Sequence, residues 1–96
     1  MKTRSIFLAL SLIIFVFSPA RAATMSQRER ETDRPGCDTQ NFIMPSSDPT
    51  ICENTCGADP NCSAWNLDTG RCYLKNCAPP AVAPRAGQIT GVKVRP

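Results

Sequence analysis

Residues 6–17 form the longest apolar run of the chain, interrupted only by Ser11. A helix needs about 20 apolar residues to span a hydrocarbon core, so this run is too short to serve as an anchor. Lys2 and Arg4 precede it, Pro19 breaks it, and Ala20-Arg21-Ala22 follows with small residues at alternate positions. A basic start, an apolar run and a small-residue site, in that order, predict a secretory signal peptide over residues 1–22, cleaved after Ala22. No cysteine precedes Cys37, so no thiol near the cleavage site can carry a lipid, and no stable membrane anchor is expected after cleavage.

Beyond the signal the pattern turns polar. Arg28, Glu29, Arg30, Glu31, Asp33 and Arg34 crowd residues 23–35, with no apolar stripe to dock a helix. This segment reads as a flexible charged leader. Asn41-Phe42-Ile43-Met44 is a short apolar run suited to a strand. Asp48-Pro49 is a helix start: the aspartate caps, and proline fits the first helical position, where its missing N–H costs nothing. The helix should reach Cys56 or Ala58, since Gly57 and Asp59-Pro60 oppose its continuation. Cys52 and Cys56 are four apart and so share one face, with Glu53 and Asn54 on the other side.

Two further runs, 62–67 and 71–76, read as strands joined by Asp68-Thr69-Gly70, a three-residue loop with glycine in the left-handed position. That loop sets Asn66 opposite Cys72, Trp65 opposite Tyr73 and Ala64 opposite Leu74. Cys62, Ala64, Cys72 and Leu74 would then share a face directed at the helix. Trp65, Leu67, Tyr73 and Lys75 would share the other. On that face Trp65 and Tyr73, flanked by Arg71 and Lys75, would make an aromatic platform suited to a sugar ring or a partner side chain. The plainer alternative is that Trp65 and Tyr73 complete a second layer of core, with Arg71 and Lys75 ordinary solvated strand positions. Residues 78–84 are rich in Pro and Ala and read as an extended connection. Residues 88–94, with Ile89, Val92 and Val94, could close the sheet as a last strand.

Length and charge narrow the function. The 96 residues allow one domain. The formal charge of +3 comes from the signal: without Lys2, Arg4 and Arg21, eight basic residues face eight acidic ones. No basic stripe with interleaved aromatics remains, so no nucleic-acid partner is expected. The chain has no His, which removes Ser-His and Cys-His nucleophilic pairs. Asp38, Asp48, Asp59 and Asp68 all lie in turn or cap contexts where aspartate is locally favoured, so none is read as catalytic.

All six cysteines lie between Cys37 and Cys77. In a short exported chain an even count reads as a disulfide framework, which spacing alone leaves open among 15 pairings. Four thiolates could hold zinc, but the helical Cys-x3-Cys spacing differs from the usual knuckle and export oxidises thiols. No metal, no cofactor and no free thiol are expected. The staples matter because a domain of about 60 residues buries too little apolar surface to be comfortably stable by itself.

Cys52-x3-Cys56-x5-Cys62, then Ala64-Trp65, then Cys72-Tyr73-Leu74-Lys75 resembles the PAN/apple domain family. Its bacterial branch is most similar: members often read Asp-Arg-Pro-Gly-x-Asp near the start, as at Asp33-Arg34-Pro35-Gly36-Cys37-Asp38. They carry Asp-Pro before the helix and before the third cysteine, as at Asp48-Pro49 and Asp59-Pro60, and close on a Ser-Gly-x-Lys segment like Thr90-Gly91-Val92-Lys93. The resemblance covers about residues 33–93 and implies the fold: a small disulfide-rich α+β domain over residues 36–96, with a curved antiparallel sheet cradling one short helix. It also implies the bridges Cys52–Cys72 and Cys56–Cys62. Relatives with a third bridge join their two ends, which leaves Cys37 to Cys77, although Cys77 follows the hairpin directly. Each closed loop is worth about 2–4 kcal/mol in the chain-entropy model.

The function that follows is an exported, monomeric, non-catalytic binding module, secreted or periplasmic, for a protein or carbohydrate ligand. The alternative is a structural or inhibitory envelope protein that caps or blocks a partner, with residues 78–85 as its only candidate reactive loop.

Overall fold

The computed structural model describes residues 24–94; the signal peptide expected over residues 1–22 lies outside them. Among the described residues six strands and one helix follow one another as β1 (Thr24–Met25), β2 (Glu29–Arg30), β3 (Asp38–Ile43), α1 (Pro49–Ala58), β4 (Ala64–Asp68), β5 (Arg71–Lys75) and β6 (Gln88–Val94). All pairings are antiparallel, in the order β1-β6-β4-β5-β3, with β2 also on β6. The helix lies against one face, touching β4, β5, β6 and β1. This is the small disulfide-rich α+β fold expected.

Local chemistry accounts for the helix. The Asp48 carboxylate accepts the Thr50 N–H at 3.0 Å, and Pro49 opens the first turn. That bond to the Thr50 backbone, followed by one to its hydroxyl, holds the Asp48 carboxyl below the ordinary carboxylate range. At the far end the Asp59 N–H closes on the Cys56 carbonyl, and Lys93 donates to the Asp59 carbonyl at 2.7 Å. A cation there complements the negative end of the helix dipole.

The core is the layer between helix and sheet. Cys52, Cys56, Cys62, Trp65, Leu67, Cys72, Leu74 and Met44 are buried in it. Disulfides join Cys52 to Cys72, Cys56 to Cys62 and Cys37 to Cys77, closing separations of 20, 6 and 40 residues. The first ties α1 to β5; the second ties the end of α1 to the chain entering β4.

Two readings of the sequence are corrected. The β4–β5 turn has two residues, not three: Thr69 and Gly70 both have positive φ, at 50° and 82°. The twist of such a turn matches that of its strands, and it makes Asp68 and Arg71 the last pair. Leu67 therefore opposes Cys72, Asn66 opposes Tyr73 and Trp65 opposes Leu74. A one-residue change of register sends each β4 side chain to the opposite face.

The second correction concerns residues 24–35, expected as a flexible leader. They run along the outer edge of β6: Thr24 pairs with Val94, Met25 with Lys93, Glu29 with Thr90 and Arg30 with Ile89. Between the two short strands, the Ser26 N–H donates to the Val92 carbonyl and its hydroxyl accepts the Val92 N–H. Pairing of this kind uses backbone groups, so a polar sequence can do it, and it covers an edge that would otherwise be open. Arg28 crosses to the helix, donating to Glu53 and to the Thr50 hydroxyl, each at 3.0 Å. The bond to Glu53 raises the guanidinium pKa further above its ordinary value.

Candidate binding site

Alternation along β4 and β5 sorts the sheet into two faces. Trp65, Leu67, Cys72 and Leu74 point to the helix and are buried. Asn66, Asp68, Arg71, Tyr73 and Lys75 belong to the opposite, outer face.

A cleft of about 300 Å³ opens on that outer face. Asn66, Asp68, Tyr73 and Lys75 line it from the central hairpin, and Gln88 from β6. Asp33, Pro35 and Gly36, on the segment leading into β3, and Asp38, the first residue of β3, form its wall. That segment is fixed from several sides. Asp33 and Val82 exchange both backbone hydrogen bonds, at 3.0 and 2.7 Å. Arg34 pairs with Glu29 at 2.6 Å and donates to the Pro79 carbonyl at 2.7 Å. Cys37 is bonded to Cys77. The wall therefore begins in the supposed leader, and residues 78–85, the candidate reactive loop, are pinned to that segment through Pro79, Val82 and Arg85.

Lys75 is only 2% exposed, which corrects its reading as a solvated position. Its ammonium donates to the Asp38 carboxylate and, at 3.1 Å, to the Gly36 carbonyl. A charge so buried needs such partners, and Lys75 thereby holds the wall against the sheet. Arg71 lies at the rim and donates to the Asn41 side chain at 2.7 Å. Tyr73 stands half-buried between Asn66 on β4 and Asn41 on β3.

The Trp65–Tyr73 platform does not form, because the corrected register puts the two rings on opposite faces. Trp65 is fully buried in the core beside Gly91. Of the four candidate platform residues, Tyr73 and Lys75 line the cleft, Arg71 is next to it, and Trp65 is absent from it.

The Asn66 side chain donates to Gln88 at 2.9 Å, while its carbonyl oxygen is buried with no hydrogen-bond donor among the described residues. A buried acceptor left unpaired costs about 1–3 kcal/mol. Asp33 and Asp68 add two more acceptors to the same cleft. Neither stands out in the sequence as a ligand contact: Asp68 sits in the hairpin turn, and Asp33 in the run of charges over residues 23–35.

A larger cleft, about 560 Å³, lies by the end of α1 between Thr39, Gln40, Asp59, Asn61 and Ser63. Its one carboxylate is already occupied: Asp59 accepts the Asn61 N–H at 2.9 Å and the Gln40 amide at 3.2 Å. It has no aromatic and no unpaired buried group among those residues. The smaller cleft is the better candidate on chemistry, despite its size.

Residues 32–75 match the family model described as PAN domain. Over these residues the chain is similar to a PAN domain. The matched span runs from the cleft wall through the helix and the central hairpin to Lys75, and so includes two of the three bridges entire. PAN domains are in general non-catalytic modules that bind proteins or carbohydrates, and three disulfides in so small a domain suit an oxidising compartment. No curated protein matches the chain.

Proposed function

We propose that this PAN-like domain is an exported, monomeric binding module, secreted or periplasmic, and that its protein or carbohydrate ligand docks on the outer sheet face around Tyr73. The observation that carries this reading is the outer-face cleft itself. It combines a half-buried aromatic, three carboxylates and a buried unpaired amide carbonyl within a wall fixed by a disulfide and two ion pairs. Groups fixed in place before binding lose little ordering entropy when a ligand docks, which favours this cleft as a recognition site.

The reading is tested by offering the mature domain both a glycan array and immobilised exported proteins. Tyr73→Ala and Asp68→Asn should abolish capture, while Gln40→Ala, at the larger cleft, should leave it intact. Capture insensitive to the outer-face changes would overturn the reading.

A further inference from the structure

The charged groups that line the cleft are mostly acceptors, set beside the amides of Asn66 and Gln88 and the side chain of Tyr73. Asp33, Asp38 and Asp68 line it against the single ammonium of Lys75, a formal charge of −2. Lys75 is itself turned to Asp38 and Gly36. The neighbouring guanidinium, that of Arg71, is directed to Asn41. The Asn66 side-chain carbonyl, in a residue 97% buried within the cleft lining, has no donor among the described residues. Tyr73 adds an aromatic ring to the lining, and such a ring attracts a cation brought over its face within about 6 Å of the centroid. A surplus of acceptors beside an aromatic ring calls for a ligand that is cationic and rich in donors.

Size selects among such ligands. A volume of about 300 Å³ is at the lower end for a small-molecule site, enough for one side chain but not for an oligosaccharide segment. An arginine presents five donors in a planar fork, and a lysine three on a flexible stem. From this geometry we infer that the cleft receives one cationic side chain, arginine or lysine, from a basic segment of a protein partner. The inference rests on the outer face being the docking surface, and it makes the partner a protein. Asp33 and Asp68 are the carboxylates that take up the charge, and Lys75 is a positioning residue that holds Asp38 and the wall.

Titration of the ¹⁵N-labelled mature domain with Nα-acetyl-arginine amide and Nα-acetyl-lysine amide, followed by amide chemical shifts, tests it. Both probes should shift Asn66, Asp68 and Tyr73 saturably, and Nα-acetyl-citrulline amide, which keeps the shape without the charge, should not. Asp68→Asn should weaken the arginine probe about tenfold, as expected for one charge-assisted hydrogen bond. Asp33→Asn should act likewise, and unchanged near-ultraviolet dichroism shows that both variants fold. Citrulline binding as well as arginine, or no saturable shift with either cation, overturns the inference. So does selective binding of glucosamine or of a neutral sugar at the same amides, although that outcome would leave the outer face as the docking surface.

Discussion

Gly91 lies directly opposite Trp65 on the neighbouring antiparallel strand, and a Cβ at position 91 would stand 2.7 Å from the indole Nε1. The indole of the largest core residue thus occupies the space where any other residue would carry a side chain. Trp65 is wholly buried and cannot swing into solvent.

Gly91→Ala should therefore destabilise the domain by about 1–3 kcal/mol, the range for overpacking a tight core. Gly57 is the control. It is in the helix, where the nearest atom to an added Cβ is Met25 Sδ at 3.9 Å, so Gly57→Ala should gain about 0.5–1 kcal/mol. Denaturant unfolding of both variants measures the contrast. Equal stability of Gly91→Ala and the parent would mean that the indole does not pack on this strand.

The bridges can be ranked. Chain entropy alone favours the longer loop, Cys37–Cys77, over Cys52–Cys72, but doubling a loop adds only about 0.6 kcal/mol. Burial favours Cys52–Cys72: both residues are fully buried, so serines there leave two unpaired hydroxyls at about 1–3 kcal/mol each. Cys77 is exposed and Cys37 half-exposed. Double serine replacement of Cys52 and Cys72 should cost more than that of Cys37 and Cys77, as read from midpoints of urea unfolding.

Thr69 is β-branched yet has φ of 50°, in the left-handed region such residues avoid. Thr69→Asn should stabilise the hairpin by about 0.5–1 kcal/mol, because Asn-Gly is the favoured pair for this turn. The gain is reduced by whatever the exposed bond from the Thr69 hydroxyl to Asp68 contributes. A melting temperature lower than that of the parent would argue against the two-residue turn.

The Asp48 cap should set part of the acid response. Its carboxyl is held below the ordinary range when folded, so its contribution is present at neutral pH and is lost as pH falls through that lowered value. Asp48→Ala should lower the melting temperature at pH 7, and the difference from the parent should shrink towards zero in strong acid. A difference that stays constant across the acid range would exclude a role for the ionised cap.

The parts of the fold legible in the sequence were those fixed by local chemistry. Asp48-Pro49 set the start and phase of α1, and hence the shared face of Cys52 and Cys56. The hairpin was legible, but its register was not, since the sequence Asp68-Thr69-Gly70 suits two loop lengths and a threonine at positive φ is the less expected choice. Nor did residues 24–35 betray their strands: they contribute backbone bonds to β6, and their side chains follow no apolar alternation. The cleft was hidden for a further reason. Its lining comes from the approach to β3, from β4 and β5, and from β6, segments that only the strand order brings together. Tyr73 stands out as the only tyrosine, whereas Asp68 looks like any turn aspartate and Asp33 like one more charge of the leader.

Thr24 and Val94, the first and last described residues, are paired neighbours on adjacent strands. The domain thus forms a nearly closed ring of chain, its two ends emerging side by side. A few linking residues could join them, and the exposed Thr69-Gly70 turn could be opened in their place, so circular permutation is expected to leave the fold intact. By the same geometry it should splice into a surface loop of an unrelated protein without prising that loop apart, and the cleft of Tyr73 would travel with it.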